Sequence, residues 1–232
     1  MLQVWVGHSA ALLPAYAGLL EIRVERPGRL ALLLTHLTPH SAERRAPEAA
    51  AVARRAAALD AAGLPVLVLG DLNTLSRHDA PAHARAGLAA GLAASPSLAR
   101  KFLAAPAGAI DYRPMDVLLE ALVDLATIPG PGPPTPSSPA TAPGEDAEPP
   151  GEPGAGAGRG PGATVPTACG ADPMHAAAMR LDYALATPRA AALAAGPARA
   201  VDDGETQRLS DHLPVECALD LPGPDPPAAA GP

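Results

Sequence analysis

Pro65-Val66-Leu67-Val68-Leu69-Gly70-Asp71-Leu72-Asn73 is the stretch on which the reading of this 232-residue chain turns. The apolar run from Pro65 to Leu69 is too short for a helix and is bounded by Pro and Gly, so it reads as a buried strand that ends in a glycine turn. That turn carries a carboxylate and a carboxamide, Asp71 and Asn73, at the C-terminal edge of the strand. Such a pair can build a metal or phosphate site, and it can equally close an ordinary turn through Asx hydrogen bonds. The flanking sequence decides between the two.

Upstream, Leu20, Ile22 and Val24 alternate with Glu21, Arg23 and Glu25, the period of a half-buried strand with its charges on the solvent side. Arg26-Pro27-Gly28 then turns the chain into Leu30 to Leu34, a continuous apolar run expected to be the deeper member of a hairpin. This second strand runs into Thr35-His36-Leu37-Thr38-Pro39 and places a histidine just past a buried strand end. From Arg44 to Ala62, Ala49, Val52, Ala56 and Leu59 fall on one helical face, and Gly63 and Pro65 end the helix. Strand, helix and strand make a βαβ unit, expected right-handed with parallel strands. Arg44 and Arg55 read as part of a solvated helix face, and Val4-Trp5-Val6 as a further strand.

Downstream, Ala82 to Leu103 reads as helical segments broken near Ser95-Pro96, and Met115 to Leu125 as a helix or helix-strand element. Between Pro129 and Ala163 the sequence carries 11 Pro and 9 Gly in 35 residues, with too little apolar surface to offset its conformational entropy. Residues 129–163 are therefore expected to be a disordered insertion; a Pro-rich ligand for an aromatic groove is the weaker reading of Pro131 to Pro136. Order should resume near Thr164. Met179 to Ala186 reads as a strand with Leu181, Tyr183 and Leu185 on one face and Asp182 on the other, and Glu216 to Leu219 as a final strand. Residues 1–128 and 164–220 are thus two segments of one domain. Residues 221–232, with five Pro, are a frayed tail.

Composition limits the function. A net charge of -7 argues against a broad basic surface for non-specific nucleic-acid binding. One Trp, one Phe and three Tyr leave the core to Leu, Val and Ala. Cys169 and Cys217 give neither a disulfide framework nor metal-ligand spacing. No apolar run reaches the roughly 18 residues of a membrane span, and the first residues lack a basic leader region. An intracellular protein without a transmembrane segment is expected, its compartment open.

Four fragments share one chemistry: Thr35-His36-Leu37, Gly70-Asp71-Leu72-Asn73, Arg180-Leu181-Asp182-Tyr183 and Ser210-Asp211-His212-Leu213-Pro214-Val215. In type and order they resemble the endonuclease/exonuclease/phosphatase family, the DNase I-like metal-dependent phosphoesterases, over about Leu19 to Leu219 outside the insertion. The resemblance implies an α/β fold, a two-sheet sandwich with its site at one end. It implies that Asp71 positions or deprotonates water, that Asn73 donates an amide proton to a phosphate oxygen, and that His36 donates to the same group. It implies that Asp182 orients His212 as a base or a phosphate-clamping cation, and that Asp211 and Asp71 hold Mg²⁺ or Mn²⁺. Asp182 also demands a partner on physical grounds, because an unpaired inward carboxylate costs several kcal/mol, and His212 is the natural one. The implied partner is a phosphoester substrate: nucleic acid, phospholipid or small ester. His40, His78, His83 and His175 match no fragment and read as surface residues, and Asp111-Tyr112 is assigned no role.

The chain also departs from the family pattern, which opens with a strand ending in Asn followed by a Gln-Glu pair. Asn73 is the only asparagine, and neither Gln3 nor Gln207 precedes Glu. An incomplete sandwich lacking its first β-α-β portion is expected, with a weak or absent cation site. Glu21 and Glu25, on the solvent side of their strand, are poor substitute ligands. A fragment of a longer product, a degenerate member, and a domain completed by another chain all satisfy this. The alternative to a hydrolase is a non-catalytic scaffold that retains the fold and displays the Pro-rich insertion.

Overall fold

A computed structural model describes residues 4–8, 18–24, 28–104, 108–130, 162–169 and 177–222. The chain opens with β1 (Val4–His8), β2 (Gly18–Val24), β3 (Leu30–His36), α1 (Ala42–Ala61) and β4 (Val66–Asp71). Three short helices follow, α2 (Ala80–Arg85), α3 (Leu88–Ala93) and α4 (Pro96–Phe102), and then α5 (Arg113–Leu119) and β5 (Val123–Asp124). The last part holds β6 (Asp182–Ala186), α6 (Pro188–Ala191), β7 (Arg199–Ala200), α7 (Thr206–Leu209) and β8 (Val215–Glu216). Nearly all of the expected insertion and tail, residues 131–161 and 223–232, lies outside the described residues, as does His175.

The main sheet has six strands in the order β1-β2-β3-β4-β6-β5, and β7 and β8 form a second, two-stranded sheet. The fold is the expected α/β arrangement of two sheets. β3 and β4 are parallel across α1, as the βαβ reading requires, and the other pairings are antiparallel. On one face, Ala49, Val52, Ala56 and Leu59 of α1 pack with Leu33, Val66, Val68, Tyr183 and Leu185 and with Met115 and Leu118 of α5. Each fully buried Leu in such a layer contributes about 2 kcal/mol. Against the other face, Leu30, Leu67, Ala184 and Ala186 meet Leu125, Ala190 and Ala198.

The ends of α1 follow from local chemistry. Ser41 is extended and its Oγ accepts from the Arg44 amide, which caps the first turn. At the other end Gly63 takes φ 81°, and the amides of Gly63 and Leu64 return to Asp60 O and Leu59 O, a left-handed glycine stop.

Two expectations about exposure are corrected. Leu19 and Glu21, not Leu20, Ile22 and Val24, are the buried positions of β2. The face bearing Glu21 looks toward α1, where Arg55 donates from Nε and Nη2 to Glu21 Oε2 at 2.8 and 2.6 Å, and Arg23 Nε donates to Oε1 at 3.0 Å. The two guanidinium groups hold the Glu21 carboxyl below its usual range despite burial, which acts the other way. Arg55 is therefore a packing residue, because a helix layer covers the face that alternation alone assigned to solvent.

Gly70 fixes how β3 and β4 end together. Its φ is 137°, and a Cβ built there would lie 2.0 Å from Thr35 O. No side chain fits unless the two strand ends move apart. Gly70→Ala is expected to lower stability by about 3 kcal/mol, read as a reduced denaturant midpoint at unchanged slope. A midpoint equal to that of the parent would show that the strand ends yield.

Candidate functional site

The carboxylates come together through strand pairing. Asp71 ends β4, Asp182 begins β6, and the antiparallel register sets them directly opposite each other. Residues opposed in a ladder share a face, so both carboxyl groups lie on the side of the sheet away from α1. Like charges in this position are unfavourable unless neighbours compensate. Burial raises the Asp71 carboxyl above its usual 3.8 and the nearby Asp182 adds to this; the Asn73 amide and the imidazoles of His212 and His36 act in the opposite sense.

The compensating groups come from the end of β3 and from two loops; His36 is the last residue of its strand and not, as expected from the sequence, just past it. His212 Nδ1 donates to Asp182 Oδ2 over 2.7 Å, with both side chains about four-fifths buried. Burial pulls the imidazole down, but the Asp182 hydrogen bond and the charges of Asp182, Asp71 and Asp211 more than offset this, and His212 lies above its ordinary 6.5. His36 Nε2 lies 3.5 Å from Asp71 Oδ2, and its side chain is 66% exposed at the mouth of the site. Asn73, with the left-handed φ of 48° that Asn tolerates, donates from its amide to Asp71 Oδ1 at 2.8 Å, which is an Asx turn. Its Nδ2 donates to Asp71 Oδ2 at 3.0 Å and to Leu37 O at 2.9 Å. The carboxamide is thus buried, with both protons engaged in holding Asp71 and the residue after His36.

The structure brings Asp71, Asn73, Asp182, His212 and His36 to one end of the sheet. Asp211 is exposed, with Ser210 Oγ donating to it at 3.4 Å. Among the described residues no three Asp, Glu, His or Cys side chains converge to hold a metal ion. Each Asp71 oxygen accepts one hydrogen bond from Asn73.

Several buried charged or polar residues have no role in the sequence reading. Arg45 is fully buried, and its Nη1 donates to Thr38 O at 3.0 Å while Nη2 donates to Lys101 O. Burial pulls its guanidinium down to about 10, against the charges of Asp111, Asp71 and Glu48. Buried Glu48 accepts from the amide and the hydroxyl of Thr38, each at 2.8 Å. A signal was present: Arg45 lies four residues before Ala49 and so extends the apolar face of the helix backward. Arg180 is buried too, donating to both oxygens of Asp124 and to Asp79, with its guanidinium 4.4 Å from the centre of the Tyr183 ring. His83, expected at the surface, is 7% exposed and contacts Tyr112 Oη at 3.0 Å; burial lowers its titration point. Asp111 pairs with Arg113.

A model of the Endonuclease/Exonuclease/phosphatase family matches residues 5–212. The chain belongs to this family. Enzymes of the family generally use divalent metals. Two solved structures of the Neisseria protein NExo, titled a 3' phosphatase bound to a product DNA hairpin and a 3'-5' exonuclease, each align at 17% identity and TM-score 0.53. Each alignment covers 95% of this chain and 72% of NExo. A functionally unknown conserved protein from Enterococcus faecalis aligns at 14% identity and TM-score 0.44, over 88% of this chain and 55% of that one. A mannosyl-6-phosphatase from Bacteroides thetaiotaomicron aligns at 12% identity and TM-score 0.44, over 94% and 65%. The chain therefore spans between just over half and about three quarters of the length of these relatives. No curated protein matches the sequence. The NExo alignment shows the fold shared by the family. No helix among the described residues is long and apolar enough to cross a membrane.

The pair of Asp182 and His212 has a measurable sign. Asp182→Asn keeps the imidazole buried but removes its hydrogen-bonded charge, so the His212 titration point, followed by NMR of the ring, should fall. A folded value above the unfolded one stabilises fully below the unfolded value, and the gain is lost as pH rises through the folded value. The stability advantage of the parent over Asp182→Asn should accordingly shrink as pH rises through neutrality.

Proposed function

We propose that this chain hydrolyses phosphoesters at the cluster of Asp71, Asp182, His212 and His36. The observation that carries the reading is the Asp182-oriented imidazole of His212 beside a second, partly buried carboxylate whose own proton affinity is raised. Acid-base catalysis needs such a pair, one group holding a proton to give and another able to receive one. Water attacks phosphorus and forms the new P–O bond. Its proton passes to Asp71, and the departing oxygen takes a proton from the His212 imidazolium as its bond to phosphorus breaks. Asp182 fixes the Nδ1–H tautomer, so Nε2 is the nitrogen that exchanges the proton. His36, exposed beside Asp71, donates to a phosphate oxygen at the mouth. Asn73 holds Asp71 in place; donation from its carboxamide to phosphate requires one of its present bonds to open.

A divalent cation supplies charge neutralisation on the phosphate when one is bound. Asp71 and Asp211 are the carboxylates proposed to meet Mg²⁺ or Mn²⁺, with weak affinity, since the described residues make no cation shell. A small phosphate ester fits the net charge of -7 better than a long polyanion does.

The test is hydrolysis of bis-nitrophenyl phosphate with Mg²⁺, with Mn²⁺ and with chelator. His212→Ala is expected to reduce the rate by about 100-fold or more. Equal rates for the two proteins remove His212 from the mechanism. No turnover, together with no Mg²⁺ heat beyond that of Asp71→Ala in calorimetry, favours the scaffold reading.

A further inference from the structure

The segment that follows His36, the last residue of β3, is held from two sides. On the site side, the Leu37 amide donates to Asp71 O at 3.0 Å and Leu37 O accepts from Asn73 Nδ2. On the helix side, every polar group of Thr38 is taken by α1: its amide and hydroxyl donate to Glu48, and its carbonyl accepts from Arg45 Nη1. Thr38, Arg45 and Glu48 are 1%, 0% and 2% exposed. Burying two charged side chains is unfavourable unless they are paired and hydrogen-bonded, and Arg45 Nε here has no hydrogen-bond partner. An apolar pair at these positions would pack the helix layer at lower cost, but it would leave the Thr38 amide and carbonyl buried without partners. Arg45 reaches further, to Lys101 O at the end of α4, with its guanidinium 5.7 Å from the centre of the Phe102 ring. The clamp thus ties the segment after His36 to two helices.

From this geometry we infer that Glu48 and Arg45 are positioning residues of the site: by clamping Thr38 they set His36 against Asp71. The inference rests on the proposed phosphoester reading only for its activity readout. His36 ends β3 two residues before Thr38, and its Nε2 is 3.5 Å from Asp71 Oδ2, a separation that small movements of the strand end would lengthen. Catalytic geometry is sensitive on this scale, with misplacement of about 1 Å able to reduce a rate by about 100-fold.

The experiment uses the full chain and bis-nitrophenyl phosphate. Glu48→Ala is expected to lower kcat by about tenfold to 100-fold with little change in KM. Glu48→Gln should recover most of the rate, because a carboxamide can accept from the Thr38 amide and donate to its hydroxyl. In a His36→Ala background, Glu48→Ala should cost nothing further, since a positioning residue has no effect once the group it positions is gone. An equal fall in both backgrounds overturns the proposal. Amide exchange on the same proteins gives a readout independent of turnover. Glu48→Ala should speed exchange at Leu37, whose amide bonds to Asp71 rather than to Glu48, and an unchanged Leu37 amide overturns the proposal even if the parent chain turns over no substrate. If Glu48→Ala does not fold, Thr38→Val, which removes only the hydroxyl donor, is measured in the same two ways and read by the same criteria.

Discussion

Two carboxylates facing each other across β4 and β6 are the constraint around which this end of the molecule is built. Strand register puts Asp71 opposite Asp182, and in a partly buried ladder that juxtaposition is unfavourable. Each acid is given its own partner: Asp182 takes the His212 ring, and Asp71 takes the amide and carboxamide of Asn73 with His36 nearby. Of the groups that relieve the repulsion, the two imidazoles are also able to exchange protons, whereas Asn73 only donates hydrogen bonds. Removing any one of them leaves a charge in a place chosen for two.

Backbone features then bring those partners within reach. Gly70 lets β4 end against Thr35 O, so His36 and Asp71 emerge side by side from parallel strands. Asn73 turns the chain back through a left-handed residue, and its carboxamide closes onto Leu37. Behind β6, Arg180 anchors the strand start to Asp124 and Asp79, two buried or half-buried carboxylates from other parts of the chain. The short paired strands β7 and β8 bracket the segment that holds α7 and His212. The site is thus assembled from four separated segments, while the hydrophobic layer under α1 supplies the rigidity.

Much of this was legible. Pro65 to Leu69 reads as a strand, Ala49, Val52, Ala56 and Leu59 fit one helical face, and Asp182 in an apolar strand is costly unless paired. The family resemblance in four short fragments agrees with the family match. Less legible was the direction in which an amphipathic strand faces. Alternation in β2 gives two faces, and nothing local says that the charged one lies under a helix bearing Arg55. Buried charge was only partly legible: the spacing puts Arg45 and Glu48 on the apolar face of the helix, but nothing local supplies the Thr38 groups that pair with them. His83, too, reads as a surface residue until Tyr112 lies against it.

By itself the sequence determined the strand-helix-strand unit, the turn at Gly70 and the residue types of the site, because periodicity, glycine geometry and the cost of an inward carboxylate act over a few neighbouring residues. Only the tertiary structure decided which of those residues meet. The pairing of Asp71 with Asp182 depends on the register between strands more than 100 residues apart. The burial of Glu21, Arg45 and Glu48 depends on which layer covers which face and on partners far along the chain, and periodicity names neither.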